Sequence, residues 1–145
     1  MAVDLSTDFD KAMGEISVVP QELGRVLVNV FNNAFYAVLD KQKRLAPQTE
    51  YQPAIRVSTQ RRQGQVVIRV HDNGIGIAEA VLPKIYQPFF TTKPTGAGIG
   101  LGLSLSYDII TKGHSGMLDA MTQEGEFTEM TIVLPIKQDT VAQSN

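Results

Sequence analysis

Asp72 stands where a β-branched run, Val66-Val67-Ile68-Arg69-Val70, gives way to the glycine-dense stretch His71-Asp72-Asn73-Gly74-Ile75-Gly76-Ile77. The run suits a strand that stops where the glycines begin, which holds the carboxylate at a rigid strand end. A carboxylate there can accept a hydrogen bond from an exocyclic amine such as that of adenine, and Gly74 and Gly76 lack the side chains that would block a flat ring. A hairpin turn is the competing reading of Asp72-Asn73-Gly74, because Asn-Gly is a strong turn signal.

A second glycine cluster, Gly96-Ala97-Gly98-Ile99-Gly100-Leu101-Gly102-Leu103, runs into a segment where Leu101, Leu105 and Ile109 recur at helical spacing. Unpaired N–H groups and the positive end of the dipole at a helix start favour phosphate. Neither GxxxxGK[ST] nor a strand–GxGxxG–helix motif is present, so the two common phosphate-loop readings fail.

Upstream, Pro20-Gln21-Glu22-Leu23 opens a long helical pattern with Leu23, Val26, Leu27, Val30, Ala34 and Ala37 along an apolar side. Asn29 and Asn33 are four residues apart, which places both carboxamides on one helix face, with Asn32 pointing elsewhere. A partly solvated face accounts for the pair in isolation. With two nucleotide-type segments downstream, an amide oxygen acting as a hard ligand for Mg²⁺ is the favoured role. Between the glycine clusters, Ile85-Tyr86-Gln87-Pro88-Phe89-Phe90-Thr91-Thr92-Lys93-Pro94-Thr95-Gly96 has the makeup of a closing lid. Phe89 or Phe90 would anchor it while Thr91, Thr92 and Lys93 face phosphates; an ordinary surface loop is the alternative.

The order of these motifs resembles the ATP-binding catalytic domain of bacterial sensor histidine kinases, within the wider gyrase, heat-shock chaperone and mismatch-repair ATPase group, over about residues 15–136. Asn29-Val30-Phe31-Asn32-Asn33-Ala34 resembles the N box and Asp72-Asn73-Gly74-Ile75-Gly76-Ile77 the first glycine box. Tyr86-Gln87-Pro88-Phe89-Phe90-Thr91-Thr92-Lys93 is similar to the F box, and Gly98-Ile99-Gly100-Leu101-Gly102-Leu103 to the second glycine box. The resemblance implies that Asp72 contacts adenine, that Asn33 ligates Mg²⁺, that Asn29 supports metal and phosphates, and that the segment from Gln87 to Gly100 closes over ATP. The nucleotide-binding set it implies is Asn29, Asn33, Tyr36, Asp72, Gly74, Gly76, Ile77, Thr91, Thr92, Lys93, Gly98, Gly100, Leu101, Gly102 and Thr128, with Asn29, Asn33 and Lys93 serving the transfer.

Departures from the family pattern fall at particular positions. Tyr36 stands where many members carry a basic residue, which makes Lys93 the candidate for meeting phosphate charge. Tyr86 replaces a commoner Phe. Ser115 takes the first Gly of a usual His-Gly-Gly turn and Phe127 the place of a common Gly, changes expected to touch turn geometry alone. Gyrase-like relatives carry a glutamate where this chain has Asn29, and an amide cannot serve as a general base, so intrinsic hydrolysis should be slow. Phosphoryl transfer rests on positioning and charge neutralisation. In the family the acceptor is an imidazole on a helical hairpin. His71, expected on the opposite strand face from Asp72, and His114, expected at the negative end of the helix from Leu101, both read as structural.

Length and composition suit one domain of 145 residues, 43% hydrophobic, with a core at about 15–136 and polar ends, 1–11 and 138–145, expected to fray. The absence of cysteine excludes disulfides and thiolate metal sites, and a net charge of −2 gives no reason to expect nucleic-acid binding. A cytoplasmic domain without direct membrane contact is expected, from a parent that could itself be membrane-anchored. The pattern predicts a short strand at 15–18, a helix over 20–44, strands at 54–59 and ending at Val70, a short helix at 78–85, a helix over 101–112, and strands at 117–122 and 129–136. This is an α/β two-layer sandwich of the α+β class, with about three helices on one face of a mixed, mostly antiparallel sheet; the resemblance names it the Bergerat-type ATP-binding fold.

The expected function is that of a two-component sensor histidine kinase catalytic domain. It would use ATP and Mg²⁺ to phosphorylate a histidine on a separate dimerisation hairpin, with a response regulator downstream and a homodimeric parent. An anti-sigma-type serine kinase and a non-catalytic nucleotide-binding regulatory module are the alternatives.

Overall fold

Helix α1 (Pro20–Arg44) spans the bounds its sequence pattern predicts. Pro20 opens it, Glu22 lies in the first turn, and Lys41, Lys43 and Arg44 lie in the last, all in keeping with the helix dipole. Val26, Val30, Ala34, Ala37 and Val38 form its buried stripe. The computed structural model describes residues 3–88, 90 and 102–136.

The stripe packs on one face of a sheet with strand order β1-β2-β3-β5-β4: β1 (Asp4–Asp8), β2 (Ala54–Arg62), β3 (Gln65–Asp72), β4 (Met117–Gln123) and β5 (Phe127–Pro135). Only β1 and β2 run parallel; the other neighbours are antiparallel. Residues alternate between the faces, so Ile55 and Val57, Val66, Ile68 and Val70, Leu118, and Met130, Ile132 and Leu134 all turn toward the helices and form the core. Arg56, Arg69, His71 and Glu129 fall on the other face. The β2–β3 hairpin closes through Gln63 and Gly64, both at positive φ (47° and 77°), the geometry of a two-residue primed turn.

The chain differs from its sequence reading at the amino end. Residues 15–18 form no strand. The first strand is instead β1, inside the segment expected to fray, where all five residues are exposed. Its side chains carry no burial signal because the interaction is backbone pairing with the β2 edge. Asp10 then fastens the chain: its carboxylate accepts from the Arg61 and Ala12 N–H groups at 2.7 and 2.9 Å, and its own N–H donates to Thr59 Oγ1 at 3.0 Å. These bonds lower its pKa, that from Arg61 most. Arg61 also donates to the carbonyls of Met13 and Glu15, binding the irregular stretch ahead of α1 to the sheet.

On the helical side, residues 78–85 hold only a single 3₁₀ turn, Leu82–Lys84. Helix α2 (Gly102–Asp108) continues into a π-helical turn, Ile109–Gly113. The wider turn ends on His114, which is buried and whose Nδ1 lies 3.0 Å from the Ile109 carbonyl, while its Nε2 accepts the Val19 N–H at 3.0 Å. A ring that accepts at Nε2 must carry its proton on Nδ1, so His114 is the neutral tautomer and joins the end of α2 to the start of α1. No helix among the described residues is long and apolar enough to cross a membrane.

Candidate functional site

A cavity of about 390 Å³ lies between α1 and the helix-facing side of the sheet, at the end where β3 stops. Asn29, Asn33 and Tyr36 line it from α1, Asp72, Gly76 and Ile77 from the end of β3 onward, Thr128 and Met130 from β5, and Gly102 and Leu103 from α2.

Asp72 is the last residue of β3, only 4% exposed, and its Oδ1 accepts the Gly74 N–H at 2.9 Å. Oδ2 has no hydrogen-bond partner among the described residues. Burial pushes the carboxyl up to about 7, against the opposing pull of the Gly74 N–H and the Lys41 charge. A buried carboxyl with a raised pKa at the wall of a cavity makes this a candidate ligand site. The bend at Asp72-Asn73-Gly74 is not a hairpin, since β3 pairs with β2 and β5 and the chain leaves along α1.

Asn73 holds that bend in place. Its Oδ1 accepts the Ala54 N–H at 2.8 Å, its Nδ2 donates to the Gln52 carbonyl at 2.9 Å, and the Tyr51 hydroxyl reaches its backbone oxygen at 2.9 Å. Burial first and the Asp72 charge second push the Tyr51 phenol up to about 12. The glycines meet a packing demand. A Cβ on Gly74 would come within 2.5 Å of the Ala37 backbone on α1, and one on Gly76, at φ 68°, within 2.4 Å of the Gln123 carbonyl. The chain is thus pressed between α1 and the β4–β5 turn, with Ile75 N–H donating to the Ala37 carbonyl at 3.2 Å and Gly125 N–H to the Ile75 carbonyl at 2.6 Å.

Asn29 donates from Nδ2 to the Gly102 carbonyl at 3.1 Å and lies 3.2 Å from Ser106 Oγ, whose own proton goes to Gly102 at 2.7 Å. The side chain therefore fixes the start of α2 against α1, a role that helical spacing alone does not reveal, and its carboxamide orientation follows. Asn33 lines the cavity one turn on. No group of three or more His, Cys, Asp or Glu that could hold a metal occurs among the described residues. A divalent cation here would draw on amide oxygen, water and phosphate, a donor set that suits Mg²⁺.

Of the sequence-derived site residues, the structure brings together Asn29, Asn33, Tyr36, Asp72, Gly76, Ile77, Gly102 and Thr128 around this cavity, with Gly74 packed behind it. Thr91, Thr92, Lys93, Gly98, Gly100 and Leu101 lie outside the described residues, as does Phe89; Phe90 is on the cavity wall. Sequence reasoning missed Thr122 of β4, whose hydroxyl accepts the Ile77 N–H at 2.9 Å, donates to the Phe127 carbonyl at 2.8 Å and lies 3.1 Å from Thr128 Oγ1. It also missed Asp40 and Arg44, an ion pair of 2.8 Å at the cavity's edge. Neither has a motif; only the register of β4 on β5 and the last turn of α1 place them there. Phe127, expected to affect turn geometry, stacks on His71 with ring centroids 5.3 Å apart, on the far face of the sheet from the cavity.

Residues 18–138 match the family model described as histidine kinase-, DNA gyrase B- and HSP90-like ATPase. The chain is similar to the signal transduction histidine-protein kinase AtoS of Escherichia coli, with 33% identity over 92% of this chain and 20% of AtoS. It is also similar to the two-component sensor PprA of Pseudomonas aeruginosa, with 36% identity over 79% of this chain and 12% of PprA. It therefore spans only a small part of the curated relatives' length. A solved catalytic domain of the histidine kinase ThkA, in a nucleotide-free form, superposes with a TM-score of 0.75 at 26% identity, covering 94% of this chain and 82% of that one. On the family model's match to most of its length, and on its likeness to these kinases, the chain belongs to the histidine kinase-, DNA gyrase B- and HSP90-like ATPase family, as a histidine kinase-type ATPase catalytic domain.

Proposed function

We propose that this domain binds ATP with Mg²⁺ and delivers the γ-phosphoryl group to a histidine on a separate helical hairpin of a longer parent kinase, which dimerises through that hairpin and passes the phosphoryl group to a response regulator. The observation that carries the reading is Asp72: a buried carboxyl with one oxygen fixed by Gly74 N–H and the other left for a ligand, at the wall of a cavity of nucleotide size. In this reading Asp72 accepts from the adenine amine, and Thr128 lies beside it. The triphosphate runs toward Asn29, Asn33 and Gly102. Asn33 offers its amide oxygen to Mg²⁺, which when bound neutralises phosphate charge, and Asn29 keeps the start of α2 close.

Lys93, Thr91 and Thr92 belong to the proposed cover over the phosphates, together with Gly98, Gly100 and Leu101. Asn29 cannot take a proton from water, so the site favours transfer to a supplied nucleophile over hydrolysis. The domain itself works in the cytoplasm in this scheme and touches neither membrane nor nucleic acid.

The test is to mix the chain with γ-labelled ATP, Mg²⁺ and the hairpin of its own parent. Acid-labile, base-stable label on the hairpin is the expected result. Acid-stable label on a protein partner would replace the reading with a serine kinase, and ATP binding without any labelling would reduce it to a regulatory nucleotide module.

A further inference from the structure

The Thr122 hydroxyl has one proton and three neighbours. The Ile77 N–H at 2.9 Å donates to it, and the Phe127 carbonyl at 2.8 Å can only accept, so the Thr122 proton is committed to Phe127. The remaining contact, 3.1 Å to Thr128 Oγ1, then requires Thr128 to be the donor. With its proton turned toward β4, Thr128 presents only lone pairs to the cavity it lines.

Thr128 is directly opposite Asp72 in the β3–β5 register, and both side chains point to the helix-facing side of the sheet. Directly opposed residues stand about 5 Å apart at Cβ. Asp72 Oδ1 is occupied by the Gly74 N–H, which leaves Oδ2 as the acceptor on the face that Asp72 shares with Thr128. This corner of the cavity is therefore built of acceptors alone. The group that satisfies two adjacent acceptors is one atom bearing two protons, an exocyclic amino group, whereas a carbonyl oxygen in the same place would meet two sets of lone pairs.

We propose that Thr122, which does not line the cavity, is a positioning residue that fixes the hydrogen-bond polarity of Thr128 and thereby makes the site select 6-aminopurine over 6-oxopurine nucleotides. The inference rests on the adenine-nucleotide reading above. It adds a source of selectivity outside the cavity, and a consequence: the polarity is reversible by removing a single hydroxyl.

The experiment compares ATP with ITP, the nucleotide whose 6-amino group is replaced by a carbonyl, by calorimetry at pH 8 with Mg²⁺ on the whole chain. The wild-type protein should prefer ATP by at least about 10-fold, since mismatched buried polar groups discriminate strongly. In Thr122→Val the Thr128 hydroxyl is released to donate, so ITP should tighten while ATP changes little, and the ratio of affinities should fall about 3- to 10-fold. Thr122→Ser should restore the wild-type ratio. General loosening of the Gly76–Ile77 segment would weaken both nucleotides together and leave the ratio where it was; that result, or an unchanged ratio of any kind, overturns the proposal. Thr128→Val removes the acceptor itself and must also lower the ratio, which keeps the idea open to refutation if Thr122→Val does not fold. Wild-type protein that binds ATP and ITP equally overturns this inference and the Asp72–amine contact while leaving nucleotide binding itself standing, whereas wild-type protein that binds neither overturns the ATP reading and this inference with it.

Discussion

At the scale of single residues, Asp72 couples recognition to pH. Its carboxyl rises from 3.8 to about 7 on folding, so between those values the folded protein holds a proton that the unfolded chain has lost. Stability is therefore highest below pH 3.8 as far as this group is concerned, and falls as pH rises toward 7, where the cost of a buried charge is fully felt. Ligand binding runs the opposite way, because the adenine amine needs the ionised acceptor. Adenosine, which has no group of its own titrating there, should bind more tightly as pH rises from 6 to 8, with a slope of at most one proton, and Asp72→Asn should flatten that profile in calorimetry. The same substitution should weaken ATP by about 10- to 100-fold, the worth of one charge-assisted hydrogen bond. Asn33→Ala should remove the Mg²⁺-dependent part of ATP affinity and leave adenosine binding unchanged, measured with and without a chelator.

At the scale of elements, the site depends on how closely β3, α1 and the β4–β5 turn approach one another. Gly74→Ala would press a methyl group into the Ala37 backbone, and should lower stability by about 1–3 kcal/mol in denaturant unfolding. His114→Ala would remove a buried ring that accepts the Val19 N–H and bonds the Ile109 carbonyl, and should cost about 1–3 kcal/mol by the same measurement. Much of this layer was legible in the sequence. The period of α1 and the β-branched runs of β2, β3 and β5 are strong because each buries one face, and Asn29, Asn33 and Asp72 could be placed from those periods alone. β1 was not legible, since its residues are exposed and it joins the sheet by main-chain pairing, with an exposed Asp8–Arg56 ion pair at its end. The π-helical turn was not either, because its wider backbone bonding carries no signature in the apolar spacing of the segment. Thr122 matters through cross-strand register, which a linear reading does not supply, and the packing role of Gly74 and Gly76 became visible only with α1 and the β4–β5 turn against them.

For the whole molecule, one core joins the sheet to α1 and α2, and the cavity is cut into that same core: Val30, Ala34, Val70 and Met130 belong to both. Nucleotide binding and folding should therefore be linked. With ATP and Mg²⁺ at about 100 times the dissociation constant, the unfolding free energy should rise by about 2.7 kcal/mol, read as a shift in denaturant midpoint with unchanged slope. A nucleotide that bound the unfolded chain as tightly as the folded one would leave the midpoint in place.

His114 clasps the tail of α2 to the root of α1, and Asn29 holds the opposite end of α2 through longer contacts. The two moorings differ in kind, one made by a buried ring and one by a carboxamide at the rim of the cavity. Were α2 to tilt on loading of the site, the His114 anchor would make its carboxyl end the pivot and Gly102, where the glycine-rich stretch is attached, the end that travels.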